Sequence, residues 1–242
     1  MLQRKALILG ASGFVGGFCL ESLLEDPLYN QVIALSRSPL QREHPKLVNH
    51  IVDFDQRDQV APLCEADDVY CTIGSTRKSA GGRKGFRAVD YGLVTWLCRA
   101  ASERGAKQLA LVSSSGVEEA SILFYCRVKG EVERAVTEMN YQKVAILRPS
   151  LFRGKRRNPR ISETIGKAIM VPLFFVYVGP LKKYKPIFAE AVGRAMPLAL
   201  KEDFSGLRVL ESHQITNLMD AAQTEPEAQA ETHTEAKQVV SG

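Results

Sequence analysis

The sequence predicts a doubly wound α/β fold, one parallel sheet covered by helices on both faces, followed by a small C-terminal portion. Three observations carry this. Short aliphatic runs alternate with amphipathic stretches through residues 1–150. The runs are almost continuously apolar, as strands buried on both faces must be. A glycine-spaced turn follows the first run and opens the first helix.

The strand-like runs are "KALILG" (5–10), "QVIALS" (31–36), "HIVDF" (50–54), "DVYCTIG" (68–74), "QLALVSS" (108–114) and "KVAILRP" (143–149). Helices are expected between them at 14–26, 56–66, 86–104 and 125–140. After Pro149 the pattern loosens. Residues 151–218, with a helix near 187–200 and a last strand "LRVLES", read as a substrate-binding portion folded back on the sheet edge. The polar, acidic tail 219–242 reads as disorder or a fraying helix.

Composition narrows the class. The chain has 242 residues, 45% hydrophobic and 24% charged, with net charge +5, which suits one soluble α/β unit and an anionic ligand. Cysteines at 19, 64, 71, 98 and 126 form no CxxC, and the four histidines lie away from them. That excludes a disulfide framework and a zinc site and places the chain in a reducing cytoplasm. "MLQRKALILGASGFVGGFCL" has the outline of a signal peptide but lacks a small-residue cleavage motif. "AIMVPLFFVYVGPL" (168–181) falls short of the ~20 residues of a membrane span and is interrupted by Pro172 and Pro180. It reads as a pocket wall or core segment, with docking on an anionic membrane surface as the alternative use. The loop with Arg153, Lys155, Arg156, Arg157 and Arg160 reads as a solvated face. It is also suited to a 2′-phosphate, an acidic substrate or a membrane. Without interleaved aromatics it gives no stacking platform for nucleic acid.

The turn "GASGFVG" places Gly10, Gly13 and Gly16, with Ser12, Phe14 and Val15 between them, directly after the first strand. Such spacing allows a tight turn, close approach to a pyrophosphate, and helix–strand packing, with the anion on the helix N-terminus. A Rossmann dinucleotide site follows. The second strand ends in Ser36, Arg37 and Ser38, without the carboxylate that would take the ribose 2′-OH of NAD. A guanidinium suits a 2′-phosphate, so NADP(H) is favoured over NAD(H). Asp53 and Phe54 could flank an adenine, and Gly74, Ser75 and Thr76 lie where a ribose should run.

Tyr125 and Lys129 are four apart on the expected fifth-strand helix, so phenol and ammonium share one face. "VSSSG" (112–116) ends the strand before them. With "GASGFVG", "VSSSG", "YCRVK" and "ILRPSLFRG", the chain resembles the short-chain dehydrogenase/reductase family. More closely, it looks like the atypical members related to the HIV Tat-interacting-protein oxidoreductase, where "LGASG", "GTTR", "LLSS-x-G", "YLQVKGEVE" and "FRPG" fall in the same order. The resemblance covers residues 5–155. It implies Tyr125 as general acid to a carbonyl, Lys129 as the cation serving it and the nicotinamide ribose, and a strand-end serine on the same oxygen. Pro149 and Leu151 fall in the post-strand segment beside the cofactor. Asp90 falls where the family often has an Asn that props the lysine through water. Ser113, Ser114 and Ser115 precede Tyr125 by 12, 11 and 10 residues. The family gap favours Ser113 and strand register favours Ser114, which is taken. The expected partner is a small carbonyl or alcohol substrate; the alternative is an NADP-binding regulator or sensor acting on a protein partner.

Overall fold

The computed structural model describes residues 3–153 and 186–222. Seven strands form one sheet in the order β3-β2-β1-β4-β5-β6-β9, every neighbouring pair parallel. They are β1 (Arg4–Leu9), β2 (Tyr29–Ser36), β3 (Leu47–Ile51), β4 (Asp68–Cys71), β5 (Gln108–Val112), β6 (Lys143–Arg148) and β9 (Gly206–Glu211). A second ladder joins β7 (Phe152–Arg153) to β8 (Ile187–Phe188). Strand order reverses across β1, which makes the β1/β4 crevice the switch point where such sheets take ligands.

The period-2 pleat sorts each strand between two cores. Ala6, Ile8, Val32, Ala34, Tyr70, Ala110, Ala145 and Leu147 face α1 (Gly16–Glu25) and α6 (Ala189–Lys201). Leu7, Leu9, Ile33, Leu35, Val69, Leu109, Leu111, Val144 and Ile146 face α4 (Val94–Glu103) and α5 (Phe124–Thr137). Both sides are dry, and the apolar strands follow from that.

Several boundaries shift from those expected. β3 ends at Ile51, not residue 54, because Asp53 turns its carboxylate onto the Asp55 amide (3.1 Å) and Gln56. The helix expected over 56–66 is one turn, α2 (Arg57–Val60), continued as a 3₁₀ turn over Ala61–Cys64. The helix expected at 86–104 begins earlier, as α3 (Arg83–Arg87). It passes through a π-helical turn at Ala88–Leu93 before α4. Such turns insert a residue into the helical ladder and recur at functional sites.

Beyond the boundary expected at residue 150, the described residues fold back on the sheet edge. β9 extends the main sheet beside β6, and Val192, Met196 and Leu200 of α6 share a core with Leu20, Leu23 and Leu24 of α1. A helix, α7, covers 212–222 and includes the start of the expected tail. The 168–181 run and Lys155, Arg156, Arg157 and Arg160 lie outside the described residues. No described helix is long and apolar enough to cross a membrane.

Candidate active site

The glycine turn is held against the end of β4. Gly10 adopts φ 93°, and its carbonyl accepts from the Gly13 amide (2.9 Å) and from the Thr72 hydroxyl (3.1 Å). A Cβ on Gly16 would stand 2.0 Å from that carbonyl, so only glycine lets α1 start there. Thr72, not singled out in the sequence, also donates to the Leu9 carbonyl (3.0 Å). Ser12 and Gly13 form the exposed crown, and Val15 buries its side chain in the core. Phe14 meets Phe152 edge to face at 5.8 Å. The first turn of α1 holds no carboxylate and Val15 supplies no side-chain cap, so its amide end is left to an anion.

Beyond β2, Ser36 is buried, donates to the Ser38 carbonyl (2.8 Å) and accepts from Asn49 (2.7 Å). Its hydroxyl shapes the turn, and Arg37 stands exposed beside it. Asn49, missed in the sequence, also holds the Leu40 amide through its Oδ1 (2.9 Å). Asp53 is exposed with its carboxylate in its own turn, and the half-buried Phe54 packs on the second core. Thr76 closes a turn with Ser79 through reciprocal bonds of 2.9 and 3.1 Å.

The charged centre forms where β4, the π-helical turn and α5 meet. Asp90, fully buried, pairs with Lys129 Nζ at 3.0 Å. Its Oδ2 accepts from the Ser75 amide (2.9 Å) and hydroxyl (2.5 Å). Oδ1 faces the ammonium but accepts no hydrogen bond of good geometry, so this contact is an ion pair first. Gly74 lies against the pair; a Cβ there would touch Asp90 Oδ1 and Lys129 Nζ at 3.6 and 3.7 Å. Burial pushes the Lys129 ammonium down, but the charges of Asp90 and then Tyr125 more than offset it. The net shift is upward, so Lys129 stays charged. Asp90 therefore props Lys129 directly, where the resemblance implied a bridging water. Tyr125, one turn earlier, is 38% exposed and packs, tilted by 43°, at 5.5 Å from Phe86, a buried ring the sequence reading did not single out.

The three serines separate by environment. Ser113 is buried and donates to Glu133, which Arg148 also grips through Nε at 3.0 Å. Ser115 donates to the Arg148 carbonyl (2.9 Å) and to Glu211 (3.0 Å), while its amide donates to the buried Pro149 carbonyl (2.9 Å). Ser114 is half-buried, with a long 3.5 Å contact to the Ser115 carbonyl. Of the three hydroxyls, that of Ser114 is the least committed. The Glu133–Arg148–Glu211 network that occupies its neighbours was not legible in the sequence, since it joins α5, β6 and β9. Leu151 is exposed, and its carbonyl accepts from the Ile187 amide (3.0 Å).

A family of NAD(P)H-binding proteins matches residues 10–160, which span the glycine turn, Asp90, the serines, Tyr125 and Lys129. The chain belongs to this NAD(P)H-binding family. Protein HTATIP2 of Rattus norvegicus is 33% identical over 171 residues, covering 69% of this chain and 70% of that protein. The mitochondrial protein fmp52 of Aspergillus clavatus is 34% identical over 216 residues, covering 86% and 89%. Among solved structures, the Bordetella bronchiseptica enzyme WbmH in complex with NAD+ superposes with a TM-score of 0.64 at 18% identity. It covers 90% of this chain and 80% of that one, and the likeness establishes the Rossmann-type fold.

Proposed function

We propose that the chain is an NADP(H)-dependent oxidoreductase of the short-chain dehydrogenase/reductase type, acting on a carbonyl/alcohol pair. The observation that carries this is the buried Lys129 ammonium, one helical turn from the half-exposed Tyr125 phenol, at the carboxyl edge of a sheet whose first turn is built for a pyrophosphate. The nicotinamide would supply the hydride. Tyr125 gives its phenolic proton to the carbonyl oxygen as the C–H bond forms, and takes it back in the oxidative direction. Lys129 favours the phenolate left behind and is placed to hold ribose hydroxyls. Ser114 donates to the same carbonyl oxygen. Gly10, Ser12, Gly13 and Gly16 line the phosphate end, and Arg37 reads a 2′-phosphate. Five free thiols, four of them buried, accord with a reducing compartment, and we place the protein in the cytoplasm.

Titration of NADPH and NADH into the full chain tests the cofactor reading. NADPH should bind more tightly, and Arg37→Ala should weaken it about 10- to 100-fold while leaving NADH unchanged. Equal binding of both would remove the 2′-phosphate assignment. The direct Asp90–Lys129 pair favours a second reading, because a neutralising carboxylate weakens the field on the phenol. On that reading the chain binds NADP without turnover and reports its presence to a protein partner. NADPH binding with no consumption across a carbonyl panel would select it.

A further inference from the structure

We propose that the substrate carries an oxyanion, a carboxylate or a phosphate ester, held by Arg83 and Arg127 beside Tyr125; this rests on the oxidoreductase reading above. The connection from β4 into the long helix, residues 72–87, contains five basic residues and no carboxylate. All five, Arg77, Lys78, Arg83, Lys84 and Arg87, are exposed. The connection starts at Gly74 and Ser75, against the Asp90–Lys129 pair. It ends at Phe86, whose ring lies 5.5 Å from that of Tyr125 and 5.9 Å from that of Phe124. The basic segment therefore borders the phenol itself. The cofactor's phosphates belong to the glycine turn and the end of β2, on the other side of the switch point. They do not absorb this charge.

Two guanidinium groups share the Phe124 ring, Arg83 at 5.4 Å and Arg127 at 5.9 Å from its centroid. Arg127 also donates to the Ser121 carbonyl (3.1 Å). Elsewhere on the surface Arg42, Arg134, Arg194 and Arg208 each meet a glutamate, as does Arg87 here. Among the described residues no carboxylate pairs with Arg83 or Arg127. Two cations on one ring repel, and an oxyanion reaching both relieves that repulsion. Stacking on an aromatic face fixes the planar forks in advance, so less side-chain freedom is lost on binding. The same field steers anions toward the mouth.

The test uses the full chain saturated with NADPH, titrated with 4-oxobutanoate and separately with its methyl ester. Nicotinamide fluorescence and arginine Nε–H NMR resonances are followed. The acid should bind at least about tenfold more tightly than the ester and should move the Arg83 and Arg127 resonances. R83Q/R127Q should abolish the preference, and R83K/R127K should retain part of it, with NADPH affinity unchanged in both. Equal affinities, no binding of either probe, or a preference that survives R83Q/R127Q overturns the inference and leaves the cofactor reading standing. Failure of the unmodified chain to bind NADPH overturns the oxidoreductase reading first and the inference with it.

Discussion

The two edges of the sheet hold nearly the same chemistry, a buried carboxylate with a cation and tyrosine, and put it to different ends. At the amino edge Asp68 pairs with Arg4 and accepts from the Tyr29 hydroxyl (2.8 Å), which meets the Tyr70 hydroxyl at 2.6 Å. Both tyrosines are at most 2% exposed and every polar atom is taken up. At the carboxyl edge Asp90 pairs with Lys129, but one carboxylate oxygen lacks a hydrogen bond and Tyr125 remains open. A closed cluster stabilises one packing of the core. A cluster with an open tyrosine and a charge held in reserve can exchange a proton with something that arrives.

The largest test of that contrast is Tyr125→Phe. Carbonyl-dependent oxidation of NADPH should fall about 10²- to 10⁴-fold, with NADPH affinity preserved in a fluorescence titration. The same exchange at Tyr29 should leave turnover unchanged; a comparable loss there would erase the distinction between the edges.

Asp90→Ala strands a buried ammonium, and urea unfolding at neutral pH should report a loss of about 3–5 kcal/mol. Asp90→Asn, which keeps an oxygen for Ser75, should cost less. Lys129 is held above its ordinary value in the folded state, so its contribution is complete below that value and is lost only as alkaline pH passes the raised one. Equal stability of Asp90→Ala and the parent chain would mean that the pair does not persist in solution.

The amino edge has the same sign at lower pH. Burial pushes the Asp68 carboxyl from the ordinary 3.8 up to about 6, against the pull of Arg4 and the Tyr29 hydrogen bond. A carboxyl raised in the folded state favours folding while protonated. That stability is complete below its unfolded value and is lost as pH rises through about 6. Unfolding free energies between pH 4 and 7 should decline by up to about 3 kcal/mol from this group, and Asp68→Asn should flatten the profile.

The smallest effect is that of Tyr29→Phe on stability. It leaves Tyr70 and Asp68 each short of a partner, and the thermal midpoint should report about 1–3 kcal/mol lost.

Local pattern was enough for the strands, since a residue pointing into either core must be apolar and the pleat repeats every two positions. It was also enough for Gly10 and Gly16, because a positive φ and a 2.0 Å approach admit no other side chain. Tyr125 and Lys129 were legible from helical spacing and the family likeness. Spacing along one helix could not show that Asp90 meets Lys129 directly, because that contact crosses between elements and depends on a π-helical turn. Nor could it distribute three adjacent serines. Ser113 and Ser115 are claimed by Glu133 and Glu211, residues 20 and 96 positions away. The docking of the C-terminal residues was out of reach for the same reason: the last strand was legible, but only its parallel register with β6 makes it part of the main sheet. Sequence alone determined which segments must be strand, helix and glycine turn, because sterics and burial act on neighbours. Tertiary structure decided which buried charges meet and which tyrosine stays open, because those depend on elements brought together across the fold.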